Sequence, residues 1–190
     1  MVDARPARSS MDVGYLKVED SSKLMDDVTK YRSLVGALLY LGVVARPDIV
    51  ASTAILGRKF CSPTEADWSA AKRLLRYLKG TRCYAVQLGG DTKQGLIGYS
   101  DSYWAGDIGT RRSTSEFVFL YAGGVISWAS RRQSSVTLST MEAEYVALTE
   151  ACQEAIWLRR LLQDFSEKQI EPTIVMEDKQ SCLTFVKSER

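Results

Sequence analysis

The apolar pattern changes period near residue 84, so this chain must build two kinds of layer in succession. Upstream, TKYRSLVGALLYLGVVARPDIVASTAILGRKF places Leu34, Leu38, Leu39 and Leu41 before a break at Arg46-Pro47, then Ile49, Ala51, Ile55 and Leu56. That is the pattern of a helix, a proline turn and a second helix. A third helix is expected over SPTEADWSAAKRLLRYLKGT, with Ser62, Pro63 and Glu65 as its start signal and Gly80 as its stop. Downstream, YAVQL, GLIGYS, EFVFLYAG and GVISWAS are short segments rich in β-branched and aromatic residues, separated by GGDTKQ, a polar stretch and GG. They predict three or four consecutive antiparallel strands. In STMEAEYVALTEACQEAIWLRRLLQDF, Met141, Tyr145, Leu148, Cys152 and Ile156 recur at helical spacing behind Ser139 or Thr140 and Glu142. PTIVMED then reads as a strand and KQSCLTFVKS as the start of a helix. From about residue 94 the order is β-β-β-α-β-α, an α/β arrangement with a mixed sheet. The expected organisation is a flexible arm over 1–29, a helical segment over 30–83 and an α/β domain over 84–190.

Composition excludes several chemistries. The chain has 190 residues, 45% apolar and 25% charged, enough for one or two folded domains. It contains no histidine, which removes Ser-His-Asp and Cys-His nucleophile arrangements and histidine-containing zinc sites. Its four cysteines form no CxxC pair, so a reduced intracellular protein with buried thiols is expected. No stretch approaches the roughly 18 apolar residues of a membrane span, and the start lacks a signal-peptide core, so neither membrane attachment nor secretion is expected. A net charge of +2 gives no overall steering field for a polyanion, which leaves local clusters to be read.

Carboxylates and basic residues carry what chemistry remains. Asp101 follows LIGYS, Glu144 lies near the start of the long helical segment, and Asp178 follows TIVME. Two strand ends and a helix face can gather hard oxygen ligands around Mg²⁺ or Mn²⁺. Glu144 lies roughly 60° from the centre of the expected core stripe, and Glu142 about 100°. Spacing alone favours reading these acids as solvated loop and helix-end groups, and leaves Asp107, six residues after Asp101, open in the same way. Lys72, Arg76 and Lys79 share one face of a helix, suited to phosphates or simply to water. Arg111, Arg112, Arg131 and Arg132 flank the strands beside Asp101. The hydroxyls of Ser113, Thr114 and Ser115 suit phosphate or 2′-OH contacts, or ordinary turns. Trp128, Trp157 and Tyr145 are expected in the core, and Trp104 beside Asp101 is left open to stacking.

YRSLVGALLYL, RPDI, LRYLKGT, YSDSYWAGD, RRSTS, ISWASRRQSSVTLST, EAEYVAL, EAIWLRRLL and EDKQSC occur in that order between about residues 30 and 187. Together they resemble the end of a copia-type retrotransposon Pol polyprotein. The resemblance implies the helical tail of a reverse transcriptase and its connection over 30–83, then a ribonuclease H-like domain over 84–190. It implies hydrolysis of the RNA strand of RNA–DNA hybrids at a two-metal Mg²⁺ or Mn²⁺ site formed by Asp101, Glu144 and Asp178. The implied partners are the hybrid and the remainder of Pol, acting in cytoplasmic virus-like particles or the nucleus. Asp26-Asp27 lies in polar sequence without strand pattern and does not read as a polymerase site. The family pattern continues into a segment with histidines and a further aspartate, so a C-terminally incomplete domain is expected, either a nuclease or a truncated, domesticated and non-catalytic remnant. Glu116 stands where the family usually has glycine.

Overall fold

A computed structural model describes residues 3–17, 21–90 and 94–188. Residues 91–93 of the expected polar turn, parts of the expected arm at 1–2 and 18–20, and 189–190 lie outside the described residues. The chain divides into two compact units, Met1–Ala85 and Val86–Arg190.

The first unit is helical: α1 spans Val28–Val44, a 3-10 turn covers Pro47–Ile49, α2 spans Val50–Gly57 and α3 spans Glu65–Gly80. Asp27 caps α1 by accepting the Thr29 and Lys30 N–H groups at 3.0 and 3.3 Å, while Asp26 pairs with Lys23. Asp27 therefore starts a helix, and Asp26 is held by a neighbouring lysine. The N-cap of α3 is Thr64 and not Ser62, because Thr64 and Asp67 exchange hydrogen bonds in a capping box. Tyr15 donates its hydroxyl proton to the same Asp67. Tyr31, Val35, Leu38, Ile49, Leu56, Ala71 and Leu74 form the core. Arg46 is buried at the rim. It forks onto Asp48 at 2.8 and 2.7 Å, bonds the Thr81 carbonyl and hydroxyl oxygens at 3.1 and 2.6 Å, and lies 5.9 and 5.8 Å from the Tyr77 and Tyr84 ring centroids.

The segment read as a loose arm makes specific contacts with α3. Lys79 donates to the Ala4 carbonyl at 2.9 Å, Arg76 to the Arg5 carbonyl at 2.7 Å, and the Ala7 N–H to the Arg76 carbonyl at 3.2 Å. Extended backbone offers carbonyls that long basic side chains can reach, and polarity of sequence says nothing against that.

The second unit is α/β. Its strands β1 (Ile97–Tyr103), β2 (Thr114–Tyr121), β3 (Gly124–Arg132) and β4 (Ile174–Met176) form one mixed sheet in the order β3-β2-β1-β4. The β1/β2 and β2/β3 pairs are antiparallel and β1/β4 is parallel. Helices α4 (Thr140–Asp164) and α5 (Gln180–Ser188) complete the unit. YAVQL is not a strand: Tyr84 and Leu88 are exposed, and the Tyr84 ring takes the Arg46 cation instead of a sheet partner.

The sheet-facing stripe of α4 also differs from expectation. Ala143, Ala147, Ala151, Ala155, Leu158 and Leu162 are buried, whereas Tyr145, Cys152, Ile156 and Trp157 are exposed. Phe117 and Phe119 already fill the space above the sheet, so only small side chains let the helix close onto them. Tyr145 instead meets Phe185 of α5 edge-on at 5.3 Å. Trp128 is half-buried. The expectation of buried thiols holds for Cys182 alone, since Cys61 and Cys83 fall in turns and Cys152 on the outer face of α4. Among the described residues, no helix is long and apolar enough to cross a membrane.

Gly98 fixes the approach of β1 to the core, because it pairs with Phe119 and a Cβ there would lie 2.4 Å from the ring. Gly98→Ala is expected to lower stability by about 1–3 kcal/mol in urea unfolding, through displacement of a fully buried ring.

Candidate metal centre

Parallel pairing brings Tyr99 of β1 level with Met176 of β4, so the two strands run side by side toward Asp101 and Asp178. Glu144 enters from the first turns of α4. Ser139 caps that helix, and the Glu142 carboxylate turns back to accept the Leu138 N–H at 2.6 Å. Asp101, Glu144 and Asp178 each offer one carboxylate oxygen, and these atoms all lie within 4.8 Å of one another.

The three environments differ. Asp101 and Asp178 are exposed, and the Asp101 Oδ1 accepts the Ser102 N–H at 2.7 Å. Glu144 is only 6% exposed, and its Oε2 is buried with no hydrogen-bond partner. Glu177, beside Asp178, also has a buried oxygen without a partner, while its other oxygen accepts the Lys179 N–H at 3.1 Å. Burial, then the neighbouring Glu177, Asp101 and Asp178 charges, push the Glu144 carboxyl up to about 7. Burial does the same to Glu177 in direction. A buried carboxylate oxygen with nothing to accept from is costly. An all-oxygen donor set of this kind can hold a hard divalent cation, which would satisfy it.

This geometry has a pH consequence in the absence of metal. The folded Glu144 carboxyl keeps its proton up to about pH 7, whereas its ordinary value is 4.5, so the native state binds the extra proton within that window. Stability therefore falls as pH rises across it. Metal-free protein is expected to lose about 3 kcal/mol between the two limits, and Glu144→Gln to flatten the dependence. Urea unfolding in EDTA at both pH values measures it.

Asp107 stands apart from the cluster. Burial works against its charge, but the Thr110 N–H and Arg132 outweigh that and hold its carboxyl below the usual range. Its position is that of a loop anchor. Ser113, Thr114 and Ser115 do not face solvent, although the sequence suggested phosphate contacts. Ser113 Oγ accepts the Ala105 N–H at 3.0 Å and shares a hydrogen with Thr137 Oγ1 at 2.8 Å, and Ser115 Oγ accepts from Gln133. These hydroxyls are occupied in fastening the loops around β1. Arg111 and Arg131 are exposed, Arg112 is half-buried, and Arg132 is exposed but paired with Asp107. On α3, Arg76 and Lys79 are engaged by backbone carbonyls, and Lys72 lies over the Trp68 ring at 5.7 Å. Trp104, 41% exposed, donates its indole N–H to the Thr137 carbonyl at 3.3 Å.

Two residues of the site had no clear sequence signal. Gln133 is buried and donates to Ser115 Oγ and to the Ala143 carbonyl, both at 3.0 Å, which ties the end of β3 to the turn carrying Glu144. Glu177 was visible only as the neighbour of Asp178.

No family model matches the chain. It is 39% identical, over an alignment of 198 residues covering 99% of its length, to the Retrovirus-related Pol polyprotein from transposon TNT 1-94 of Nicotiana tabacum. It is 33% identical over 178 residues, 94% of its length, to the Retrovirus-related Pol polyprotein from transposon RE2 of Arabidopsis thaliana. It spans 14% and 12% of those two proteins. A third relative, Secreted RxLR effector protein 161 of Plasmopara viticola, is 48% identical over 128 residues, 67% of this chain and 90% of the relative.

Proposed function

Because this chain belongs to the Pol polyproteins of copia-type retrotransposons, we propose that its α/β unit is a ribonuclease H-like domain acting on RNA–DNA hybrids during reverse transcription. The observation that carries the proposal is the convergence of one carboxylate oxygen each from Asp101, Glu144 and Asp178 within 4.8 Å, together with a buried Glu144 Oε2 that has no hydrogen-bond partner.

Asp101, Glu144 and Asp178 would hold Mg²⁺ or Mn²⁺. When bound, such ions supply an activated water and stabilise the charge that builds on a phosphate under attack. The chain's own residues set the geometry. The Ser102 N–H fixes the Asp101 carboxylate, and Gln133 fixes the turn that carries Glu144. Arg111 and Arg131 are exposed residues beside the strands that could contact phosphates, the Arg131 guanidinium lying 5.8 Å from the Phe117 ring centroid. The remainder of Pol, including its reverse transcriptase, is the proposed partner.

A second reading, a non-catalytic module, draws support from the Plasmopara relative, which this chain matches over 90% of that protein's length. Incubating the chain with a hybrid labelled on its RNA strand, in Mg²⁺ or Mn²⁺ and in EDTA, separates the two. The nuclease reading expects shortened RNA only with the cation. Intact RNA with folded, cation-bound protein would favour the non-catalytic module.

A further inference from the structure

One acidic residue lies in the same cross-strand row as Asp101 and plays no part in the scheme above. Register sets Asp101 of β1 directly opposite Glu116 of β2, and Glu116 opposite Ser130 of β3. Directly opposed residues project to the same face with Cβ atoms about 4.5–5.5 Å apart. Phe117, the next residue along β2, and Phe119 two further on pack in the core with α4, so by alternation Asp101 and Glu116 share the other face. On that face the neighbouring row carries Tyr99, which is 45% exposed.

Like charges set opposite each other across strands repel. None of the ion pairs among the described residues includes Asp101, Glu116, Glu144 or Asp178. Glu116 is held by the Ser130 hydroxyl, which donates to its Oε1 at 2.8 Å. That bond keeps the carboxylate on β2, outside the group whose oxygens converge within 4.8 Å. Independently, the buried Glu144 Oε2 without a partner points to a missing cation at that group.

We propose that Glu116 is a charge gate for the metal centre: it strengthens the hold on a divalent cation from one strand away and keeps a nucleic-acid backbone off this sheet face until the cation is bound. This rests on the reading of Asp101, Glu144 and Asp178 as a metal centre. The Glu116 charge attracts the cation through space and repels phosphates approaching Asp101 across β2. Loading the cation cancels much of that field, so cation and polyanion binding become coupled, each favouring the other by the same factor.

The test uses the full chain, Mn²⁺ titrated by calorimetry, and a hybrid with a 2′-O-methyl RNA strand followed by fluorescence anisotropy with Mn²⁺ or EDTA. Glu116→Gln keeps the shape and an acceptor for Ser130. It is expected to weaken Mn²⁺ binding about threefold to tenfold and to strengthen hybrid binding in EDTA by a similar factor, both effects shrinking in high salt. If either affinity is unchanged while Asp101→Asn loses Mn²⁺ binding, the gate is wrong and the metal centre stands. If Asp101→Asn also leaves Mn²⁺ binding intact, the metal-centre reading fails and the gate fails with it.

Discussion

Asp101→Asn is expected to reduce cation-dependent cleavage of an RNA–DNA hybrid at least ~100-fold, the scale on which loss of one preorganised electrostatic group acts in an active site. The amide keeps the shape of the side chain and an oxygen able to accept the Ser102 N–H, so β1 and its register have no reason to change. What disappears is one negative charge among groups whose oxygens converge within 4.8 Å. Without metal this relieves repulsion, so the variant is expected to melt at or above the temperature of the parent in EDTA. Stabilisation by Mn²⁺ should fall in the variant, because a ligand stabilises only as far as its affinity and concentration allow. Hydrolysis that survives the substitution would remove Asp101 from the chemistry.

Arg46→Ala is expected to cost the helical unit about 3–5 kcal/mol, the range for breaking a buried ion pair from one side. The substitution takes the guanidinium from the Thr81 carbonyl, removes the cation between the Tyr77 and Tyr84 rings, and leaves Asp48 without its charged partner, held by the Tyr77 hydroxyl at 2.8 Å. The hydrogen bond from Arg46, first among its influences, holds the Asp48 carboxyl below the ordinary 3.8. That stabilisation is present above the ordinary value and is lost as pH falls through the depressed one, so acid sensitivity below about pH 3.8 should diminish in the variant. Amide hydrogen exchange in α1 and α3 reads the loss directly. Undiminished protection there would show that Arg46 is dispensable to the helical unit.

Much of this architecture was legible as pattern. The proline turn at Arg46-Pro47, the start of α4 at Ser139 and the strands around LIGYS, FVFLY and VISWA follow from punctuation and period, which are local properties. Asp101, Glu144 and Asp178 were legible as candidates, but their convergence depends on a parallel pairing between residues more than 70 positions apart, which no local rule encodes. The face of α4 was misjudged for a physical reason. Periodicity identifies a stripe of large apolar residues, whereas close packing against Phe117 and Phe119 selected the alanines beside it. The seryl hydroxyls at 113 and 115 were misplaced because composition cannot distinguish a polar group facing water from one bonded inside.

The strand β4 is only three residues long and is joined to β1 across most of the unit's sequence. Contacts of that separation carry the largest loop-closure cost and tend to form late, whereas the β1-β2-β3 meander closes through short connections. Short edge pairing is also where sub-global opening is cheapest. Asp178 is therefore delivered to Asp101 by the shortest and most sequence-distant pairing in the sheet, and the site depends on that pairing being closed. An incompletely folded chain would carry all three carboxylates and still lack the geometry that brings them together.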